Sequence, residues 1–383
     1  MNPELMHRLP RERMCAGARK YWDFYDIVPH AGLFQKEFGY YSLEKWQREE
    51  GLDLNADLNA LFGFDPQGRV DLGALGWCEA GFEPVFEEKV LEDRGEYELV
   101  QDFAGRGVLC FKGRRNGFMP EYVTHPVSDI KSFEETCLWR MNPNTQVRQD
   151  NMDAYLDAAE KKALDGMFVG QNLVGGYMYL RALIGPEDLL YMFYDDPALI
   201  HACMKAWFEL ADSVIARHQQ RLPIDELFIA EDICYNHGPL ISPDMVREFL
   251  FPYYQQILEN MRRRQAALAP GHKLHFQVDT DGYSDAVIDL YREIGMNYLS
   301  PFEQASSCDV LGMAEKYPDL RISGGIDKRV LAQGKDAIDR MIDGLLPQMK
   351  ARGGYIPTCD HGVPEEVRLD DYMHYRKRCL EFR

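Results

Sequence analysis

The feature that most constrains this sequence is a regular alternation of short β-prone segments with longer helix-like stretches, from about residue 150 onward. Each strand candidate is followed by a helical stretch, the arrangement that produces a parallel sheet. Six strand candidates occur in this region: MFVGQ (167–171), ELFIAE (226–231), KLHFQVDT (273–280), NYLSPF (297–302), RISGGI (321–326) and GYIPTC (354–359). With room upstream for two less obvious strands, this count favours an α/β fold of the (β/α)₈ TIM-barrel type over an open sheet.

The region before residue 150 has a different pattern. Amphipathic, aromatic-rich stretches predict a helical N-terminal extension over residues 1–83. Residues 84–127 alternate short β-prone runs with glycine and charge, which predicts a small antiparallel excursion with turns near Asp93–Gly95 and Ala104–Gly107. We therefore expect one domain over residues 1–383, with its main barrel portion at 128–383.

Charge and hydropathy exclude several classes of protein. Against 43 lysines and arginines stand 62 aspartates and glutamates, a net charge of −19 that excludes the basic surface needed to bind nucleic acid. No apolar run approaches the roughly 20 residues of a membrane span, and the N-terminus lacks the apolar core of a signal peptide. Nine irregularly spaced cysteines suit reduced thiols. We expect a cytoplasmic protein.

The strand at 273–281 carries the clearest chemical signal. Side chains alternate between the faces of a strand, so Leu274, Phe276 and Val278 share one face. The opposite face carries four polar side chains: His275, Gln277, Asp279 and Asp281. A barrel interior is normally filled with branched apolar residues, so this row requires partners or a ligand. Asp279 is a candidate catalytic residue and Asp281 a candidate substrate-binding residue, with a hydrogen-bonded structural layer as the alternative.

The sequence CDHG (359–362) follows the last strand candidate. Cys359 and His361 are two residues apart, so both can point into the same barrel mouth. A thiolate and an imidazole together can bind a metal or form a nucleophile–base pair, and His361 alone can donate a proton. The alternatives are a buried small cysteine and a histidine bonded to a loop carbonyl.

Other strand ends and one helix carry further candidates. Adjacent carboxylates on a strand point to opposite faces, so one of Glu231 and Asp232 is expected to enter the pocket; Glu231 is the catalytic candidate and its neighbour a solvated charge. Candidates for substrate binding are Arg181 and Tyr177 in GGYMYLRALIG, Glu303 after SPF, and Asp327 in GGIDK. The arginine fork suits a carboxylate. Salt bridges and core packing are the alternative roles of these residues.

Six motifs occur in order over roughly residues 120–383: GGYMYLRALIGPEDLLYMFYDDPALIH, AEDICYNHGPLISPDM, VDTDG, SPFE, GGIDKRVLAQGK and GGYIPTCDHGVPEEVRLDDY. Together they resemble the uroporphyrinogen decarboxylase superfamily. The resemblance implies a single (β/α)₈ barrel, in agreement with the strand count.

Within that superfamily the chain resembles the corrinoid-linked methyltransferase branch more than the true uroporphyrinogen decarboxylases. The decarboxylases carry an N-terminal Met-Arg-Gln-Ala-Gly-Arg segment whose arginines bind propionates, and no such run occurs here. Members that methylate coenzyme M hold zinc through His-x-Cys and a later Cys, where this chain has Asp279-x-Asp281 and His361. The remaining resemblance is to O-demethylation methyltransferases, which pass a methyl group from a methoxylated compound to the corrinoid (cobalamin-type) group of a separate protein.

The chemistry implied by this resemblance fits the candidate residues. An ether oxygen is a poor leaving group unless it is protonated or bound to a Lewis acid. The candidate zinc ligands are Cys359, His361, Glu231 and Asp279. Without a metal, His361 and Asp279 would deliver the proton. Two other functions stay open: a lyase acting on a tetrapyrrole or another carboxylated compound, and a barrel that binds a ligand without catalysis.

Overall fold

The computed structural model describes residues 2–73, 75, 81–113 and 121–383. The strands in these residues are β1 (Arg69–Leu72), β2 (Lys89–Arg94), β3 (Tyr97–Gln101), β4 (Gly107–Phe111), β5 (Glu121–Thr124), β6 (Phe168–Val174), β7 (Glu226–Ala230), β8 (Cys234–Tyr235), β9 (Gly238–Pro239), β10 (His275–Asp279), β11 (Tyr298–Phe302), β12 (Arg321–Ile326) and β13 (Tyr355–Cys359). All six predicted strand segments are confirmed, with ends that differ by up to three residues.

Helices separate the parallel strands of the second half, as predicted. The α-helices are α1 (Ala16–Tyr25), α2 (Leu43–Glu50), α3 (Leu58–Leu61), α4 (Ile130–Ser132), α5 (Gln146–Leu164), α6 (Gly176–Ile184), α7 (Pro186–Asp195), α8 (Pro197–Arg221), α9 (Pro243–Met245), α10 (Phe251–Leu268), α11 (Ile288–Arg292), α12 (Val310–Lys316), α13 (Lys328–Leu331), α14 (Lys335–Arg352) and α15 (Leu369–Leu380). Their apolar faces bury one continuous core together with the outward-facing side chains of the strands.

The central sheet is wholly parallel, in the order β1-β6-β7-β10-β11-β12-β13. An α/β fold with a parallel sheet is therefore confirmed. The described residues contribute seven strands to this sheet, not the expected eight, and β1 and β13 form its two edges. Among the described residues upstream of β6, where two strands were expected, only β1 joins the sheet, because β2 to β5 pair antiparallel with one another.

The parallel sheet is curled. Tyr25, at the end of α1, stacks on Phe168 of β6 with ring centroids 3.8 Å apart. The same ring lies 4.9 Å from His275 on β10 and 6.1 Å from Tyr298 on β11. Strands β6 and β11 are three places apart, a span of about 14 Å in a flat sheet. One ring can contact both only if the sheet wraps around it, as the staves of a barrel do.

The N-terminal region is not helical throughout. Residues 69–72 form β1, which pairs with β6 from Arg69↔Phe168 to Leu72↔Gln171. This four-residue strand (RVDL) is too short to be distinguished by periodicity, and its neighbour in the sheet lies almost a hundred residues away. The expected helical extension over residues 1–83 therefore also supplies one edge of the parallel sheet.

The antiparallel excursion expected over residues 84–127 is present as the sheet β2-β3-β4-β5. Its turns fall where they were predicted, and Gly95 (φ 82°) and Gly105 (φ 83°) have the left-handed conformation that favours glycine. Positions 114–120 of the excursion lie outside the described residues. Within the described residues, no helix is both long and apolar enough to cross a membrane.

Candidate active site

A cavity of about 670 Å³ opens at the carboxyl ends of the parallel strands, the place where a barrel of this type builds its sites. Strands β7 and β10, helix α6, the loop after β13 and the antiparallel sheet all contribute to its wall. The lining residues are Phe38, Tyr41, Arg106, Tyr122, His125, Met178, Arg181, Ala182, Pro186, Ala230, Asp232, Asp279, Asp281 and His361. The wall is mostly apolar, and carboxylates, guanidinium groups and imidazoles converge on it at a few places.

Strand β10 positions Asp279 at the cavity. The predicted alternation is confirmed: Phe276 and Val278 are buried in the core, whereas Asp279 lies in the cavity wall. The Ser300 hydroxyl donates a hydrogen bond to Asp279 Oδ2. Burial raises the pKa of Asp279 to about 7, and the hydrogen bond from Ser300 offsets part of that rise, while the charges of Asp281 and Asp232 add to it. Near neutral pH this carboxyl can therefore give or take a proton.

Asp281 and His361 meet across the cavity. Nε2 of His361 lies 3.8 Å from Oδ2 of Asp281. Burial, and then the charge of Asp232, raise the pKa of Asp281 to about 6, while His361 lowers it. The imidazole is held by aromatic neighbours, since its Nδ1 lies 3.2 Å from the Tyr41 hydroxyl and its ring 5.1 Å from that of Phe38. Asp279, Asp281 and His361 thus line one cavity.

Of the two adjacent carboxylates after β7, Asp232 faces the cavity and Glu231 does not. The strand ends at Ala230, and Asp232 has a left-handed backbone (φ 46°), which is unusual for a residue with a side chain. Its carboxylate accepts from Nη2 of Arg181 at 2.6 Å. One of the two carboxylates lines the pocket, as expected, but it is Asp232, whereas Glu231, the residue named as the catalytic candidate, does not reach it.

Glu231 is instead fully buried behind the cavity wall. The Tyr254 hydroxyl donates to its Oε2 and accepts in turn from the backbone N–H of Gly176, at the start of α6. A β-carbon on Gly175 would lie 2.1 Å from the Glu231 carboxylate, so only glycine permits this close approach. Burial raises the pKa of Glu231 to about 7. Glu231 thus anchors the helix that carries Arg181.

The remaining substrate-binding candidates fall into two groups. Arg181 lines the cavity, whereas Tyr177 is 1% exposed and belongs to the core. Glu303 accepts from the Gly282 N–H at 3.0 Å and from Lys328 at 3.1 Å, away from the cavity wall. Asp327 pairs with Arg329 at 2.8 Å and caps α13, which is the ion pair considered as its alternative. In this structure only Arg181 and Asp281 of the set face the cavity.

The four candidate zinc ligands do not converge. Cys359 is fully buried in β13, its backbone N–H donates to Glu37, and burial raises the pKa of its thiol well above the usual range. Glu231 lies behind the wall, bonded to Tyr254. No group of three or more His, Cys, Asp and Glu side chains within the described residues is arranged to hold a metal ion. The residues therefore do not fit the predicted zinc site.

The antiparallel sheet and the segment that follows it form a roof over the cavity. The sequence did not indicate which residues of this roof would line a binding site. Arg106 stacks 4.5 Å over the ring of Tyr122 and pairs with Asp102 at 2.7 Å. Burial and the charge of Arg106 lower the pKa of His125. Other lining residues that the sequence did not indicate are Phe38, Tyr41 and Met178. The aromatic character of the N-terminal region was visible, but not which rings would reach a cavity.

Three comparisons with known proteins bear on this site. A family model described as "Uroporphyrinogen decarboxylase (URO-D)" matches residues 121–381. A curated uroporphyrinogen decarboxylase from Saccharopolyspora erythraea is 27% identical over 178 residues, 45% of this chain and 46% of that protein, so the match spans about half of the relative's length. The solved structure of a methyltransferase from Methanosarcina mazei superposes with a TM-score of 0.57, covering 95% of this chain and 98% of that one at 12% identity, a likeness of fold.

Proposed function

We propose that this chain, which belongs to the uroporphyrinogen decarboxylase family, is a methyltransferase that moves a methyl group from a methoxylated small molecule to the corrinoid of a partner protein. The matched family and the fold shared with a methyltransferase support an enzyme. The observation that carries the proposal is a carboxyl group, Asp279, that faces a largely apolar cavity with its pKa raised to about 7.

Ether cleavage needs a proton at the leaving oxygen. A carboxyl group with a pKa near the working pH is both protonated often enough and acidic enough to deliver that proton. Asp279 is the proton donor in this proposal. The neighbouring pair of His361 and Asp281, 3.8 Å apart, helps to orient the donor molecule and to return the proton from solvent. No step runs through zinc, because the candidate ligands do not meet.

The lining of the cavity supports a small, planar substrate. Phe38, Tyr41 and Tyr122 line the cavity with aromatic rings, and a volume of about 670 Å³ is in the usual range for small-molecule sites. Arg181 is the group placed to orient a polar substituent, but its guanidinium is already paired with Asp232. The proposal therefore favours a donor whose polar groups are neutral or singly charged.

The methyl acceptor approaches from outside. Phe38 and Tyr41 line the cavity and yet are 49% and 59% exposed, so the cavity is open to solvent at an aromatic rim. When the reduced corrinoid of a partner protein reaches that opening, it supplies the nucleophile for the methyl group. The chain's own contribution is to hold the donor molecule, exclude water around the methyl group and protonate the oxygen.

A decarboxylase acting on a tetrapyrrole or another carboxylated compound is the second candidate. The description of the matching family and the curated relative favour it, and Asp279 could stabilise a protonated intermediate. The two arginines in the cavity wall are both engaged by carboxylates of the chain, Arg181 by Asp232 and Arg106 by Asp102. Neutralised in this way, they attract substrate carboxylates weakly, so this function ranks second.

The test is methyl transfer to free cob(I)alamin from a panel of methoxylated compounds, followed by the absorbance of methylcobalamin. We expect turnover with at least one aromatic methyl ether, and a loss of about 10²-fold or more in Asp279→Asn, because the amide has no acidic proton to give. Asp289→Asn is the matched control, since Asp289 lies on α11 and its side chain is 75% exposed.

Two results would contradict the proposal. One is the release of CO₂ from uroporphyrinogen without methyl transfer from any ether, which would establish the decarboxylase. The other is unchanged methyl transfer in Asp279→Asn, which would remove Asp279 from the reaction.

A further inference from the structure

Strand pairing places a serine beside the candidate proton donor. Strands β10 and β11 are parallel neighbours, and in their register Asp279 lies opposite Ser300. The backbone N–H of Thr280 donates to the carbonyl of Ser300 at 2.8 Å, which fixes this register at the cavity end. Ser300 is 5% exposed, so its hydroxyl finds its hydrogen-bond partners within the protein and not in solvent.

The Ser300 hydroxyl makes two hydrogen bonds of opposite direction. Nε2 of Gln277, two residues before Asp279 on the same face of β10, donates to Ser300 Oγ at 2.7 Å. The hydroxyl in turn donates to Asp279 Oδ2. Because the Gln277 amide occupies an acceptor site of Oγ, the single hydroxyl proton is free to point at the carboxyl group. The chain Gln277–Ser300–Asp279 thus has one direction.

This direction decides which oxygen of Asp279 carries its proton. An oxygen that accepts from Ser300 cannot also hold the acidic proton toward Ser300. Among the described residues no partner hydrogen-bonds to Oδ1 of Asp279, and that oxygen is not fully buried. It is therefore open to the cavity that Asp279 lines. We infer that Ser300, oriented by Gln277, is a positioning residue that keeps the proton of Asp279 on Oδ1, the oxygen that faces the substrate.

The role of this arrangement in the reaction rests on the proposed function. As the O–CH₃ bond breaks, the methyl group passes to the reduced corrinoid and the bonding electron pair stays on the oxygen. The Oδ1 proton of Asp279 is transferred to that oxygen. Asp279 is left as a carboxylate, stabilised at Oδ2 by Ser300, and takes a proton from solvent before the next turnover.

The test is the pKa of Asp279, measured by infrared difference spectra of its protonated carboxyl group and assigned by the loss of that band in Asp279→Asn. The charged groups facing Asp279 are Asp281, Asp232 and Lys36, and all stay in place in Ser300→Ala. We expect the pKa to rise by about one unit in Ser300→Ala, because the carboxylate loses a hydrogen bond that stabilises it. Ser300→Thr should restore the wild-type value.

Two matched variants complete the design. Ser323→Ala removes another buried strand serine, which lies on β12 and accepts from Tyr298 at the amino end of β11. This variant should leave the pKa of Asp279 unchanged. Gln277→Met removes the group that orients Ser300 and should shift the pKa in the same direction as Ser300→Ala, by less. In Ser300→Ala and Gln277→Met, the alkaline limb of the pH profile for methyl transfer should move upward together with the infrared pKa of Asp279.

The sign of the shift is decisive. In the reverse arrangement, Ser300 would donate to Gln277 and accept the proton of Asp279, and Ser300→Ala would then lower the pKa of Asp279. A fall, or no change, overturns the inference. The infrared titration needs no substrate, so a protein that methylates nothing but shows the upward shift would contradict the proposed function and still support the placement of the proton.

Discussion

At the scale of single residues, three carboxyl groups near the cavity have raised pKa values for related reasons but serve different purposes. Asp279 and Asp281 line the cavity, and their pKa values of about 7 and 6 reflect burial beside other carboxylates. Glu231 has a pKa of about 7 because it is fully buried against Tyr254. A perturbed pKa marks a functional candidate only when the group also reaches a cavity, and that criterion separates Asp279 from Glu231.

His361→Ala should lower methyl transfer by about 10²-fold, the usual scale for a positioned acid–base group. The imidazole lowers the pKa of Asp281 more than Lys328 does, so the variant should also shift the acidic limb of the pH profile upward. Steady-state turnover between pH 5 and 9 checks both effects. His374→Ala is the control, because that imidazole bonds Asp339 on the outside of the fold. Wild-type turnover in His361→Ala would show that the site is wrongly placed.

Glu231→Gln should stabilise the protein increasingly as pH rises. The folded-state pKa of about 7 exceeds the ordinary value of 4.5, so wild-type stability contributed by Glu231 is present at low pH and is lost between about pH 4.5 and 7. A neutral amide loses nothing over that window. The gain should reach up to roughly 3 kcal/mol at pH 8 and vanish near pH 4.5. Urea unfolding at several pH values measures it, and a difference independent of pH would contradict the buried, protonated state.

At the scale of elements, the cavity is assembled from pieces that are far apart in the sequence. Strand β10 and the loop after it supply Asp279 and Asp281, the loop after β13 supplies His361, and α6 supplies Arg181. The antiparallel sheet adds a roof, with Arg106 stacked on Tyr122. We expect this roof to contribute binding area rather than chemistry, because no hydrogen bond joins its described residues to Asp279.

Tyr122→Ala should therefore raise KM by about tenfold and leave kcat nearly unchanged, the pattern of an interaction that binds substrate and transition state equally. The lost contact is one face of an aromatic ring. Tyr97→Ala is a close control, because Tyr97 lies in the same sheet and is also 39% exposed, but does not line the cavity. A drop in kcat equal to that in kcat/KM would instead assign Tyr122 to the chemical step.

At the scale of the whole molecule, the antiparallel sheet is tied to the rest of the fold. Phe86 packs against the main core, and Arg140 donates to the carbonyls of Pro84 and Val85 at 2.8 and 3.0 Å. The backbone N–H of Val127 bonds Leu183 in α6 at 3.0 Å. These contacts join the beginning of the excursion to Arg140 and its end to helix α6.

We therefore expect one cooperative unfolding transition over the whole chain. Urea denaturation followed by far-ultraviolet circular dichroism should coincide with hydrogen exchange of the amides in β3 and β4 and of those in β7 and β10. The physical reason is that the excursion buries Val100 and Val108 against its own strands but depends on Phe86 and Arg140 for its attachment. Earlier exchange of β3 and β4 at low urea would show that the excursion is a separate unit.

Much of the framework could be read from the sequence. The βα alternation predicted all six strands that the second half contributes to the parallel sheet, and the period of two in KLHFQVDT correctly put Asp279 on the face opposite Phe276 and Val278. These features are local, because strand faces and the residues that follow a strand are fixed by neighbours in the chain.

What the tertiary structure alone decided is which groups meet. The turn after β7 gives Asp232 a left-handed backbone and turns Glu231 inward, and no property of the dipeptide distinguishes the two. Strand β1 exists because β6 is there to pair with it, and Cys359 is a core residue because β13 is covered by the N-terminal segment that carries Glu37. Ser300 gains its role from the register of β11 against β10. Residue type and periodicity are properties of the chain, whereas pairing, register and burial arise from contacts between segments distant in sequence.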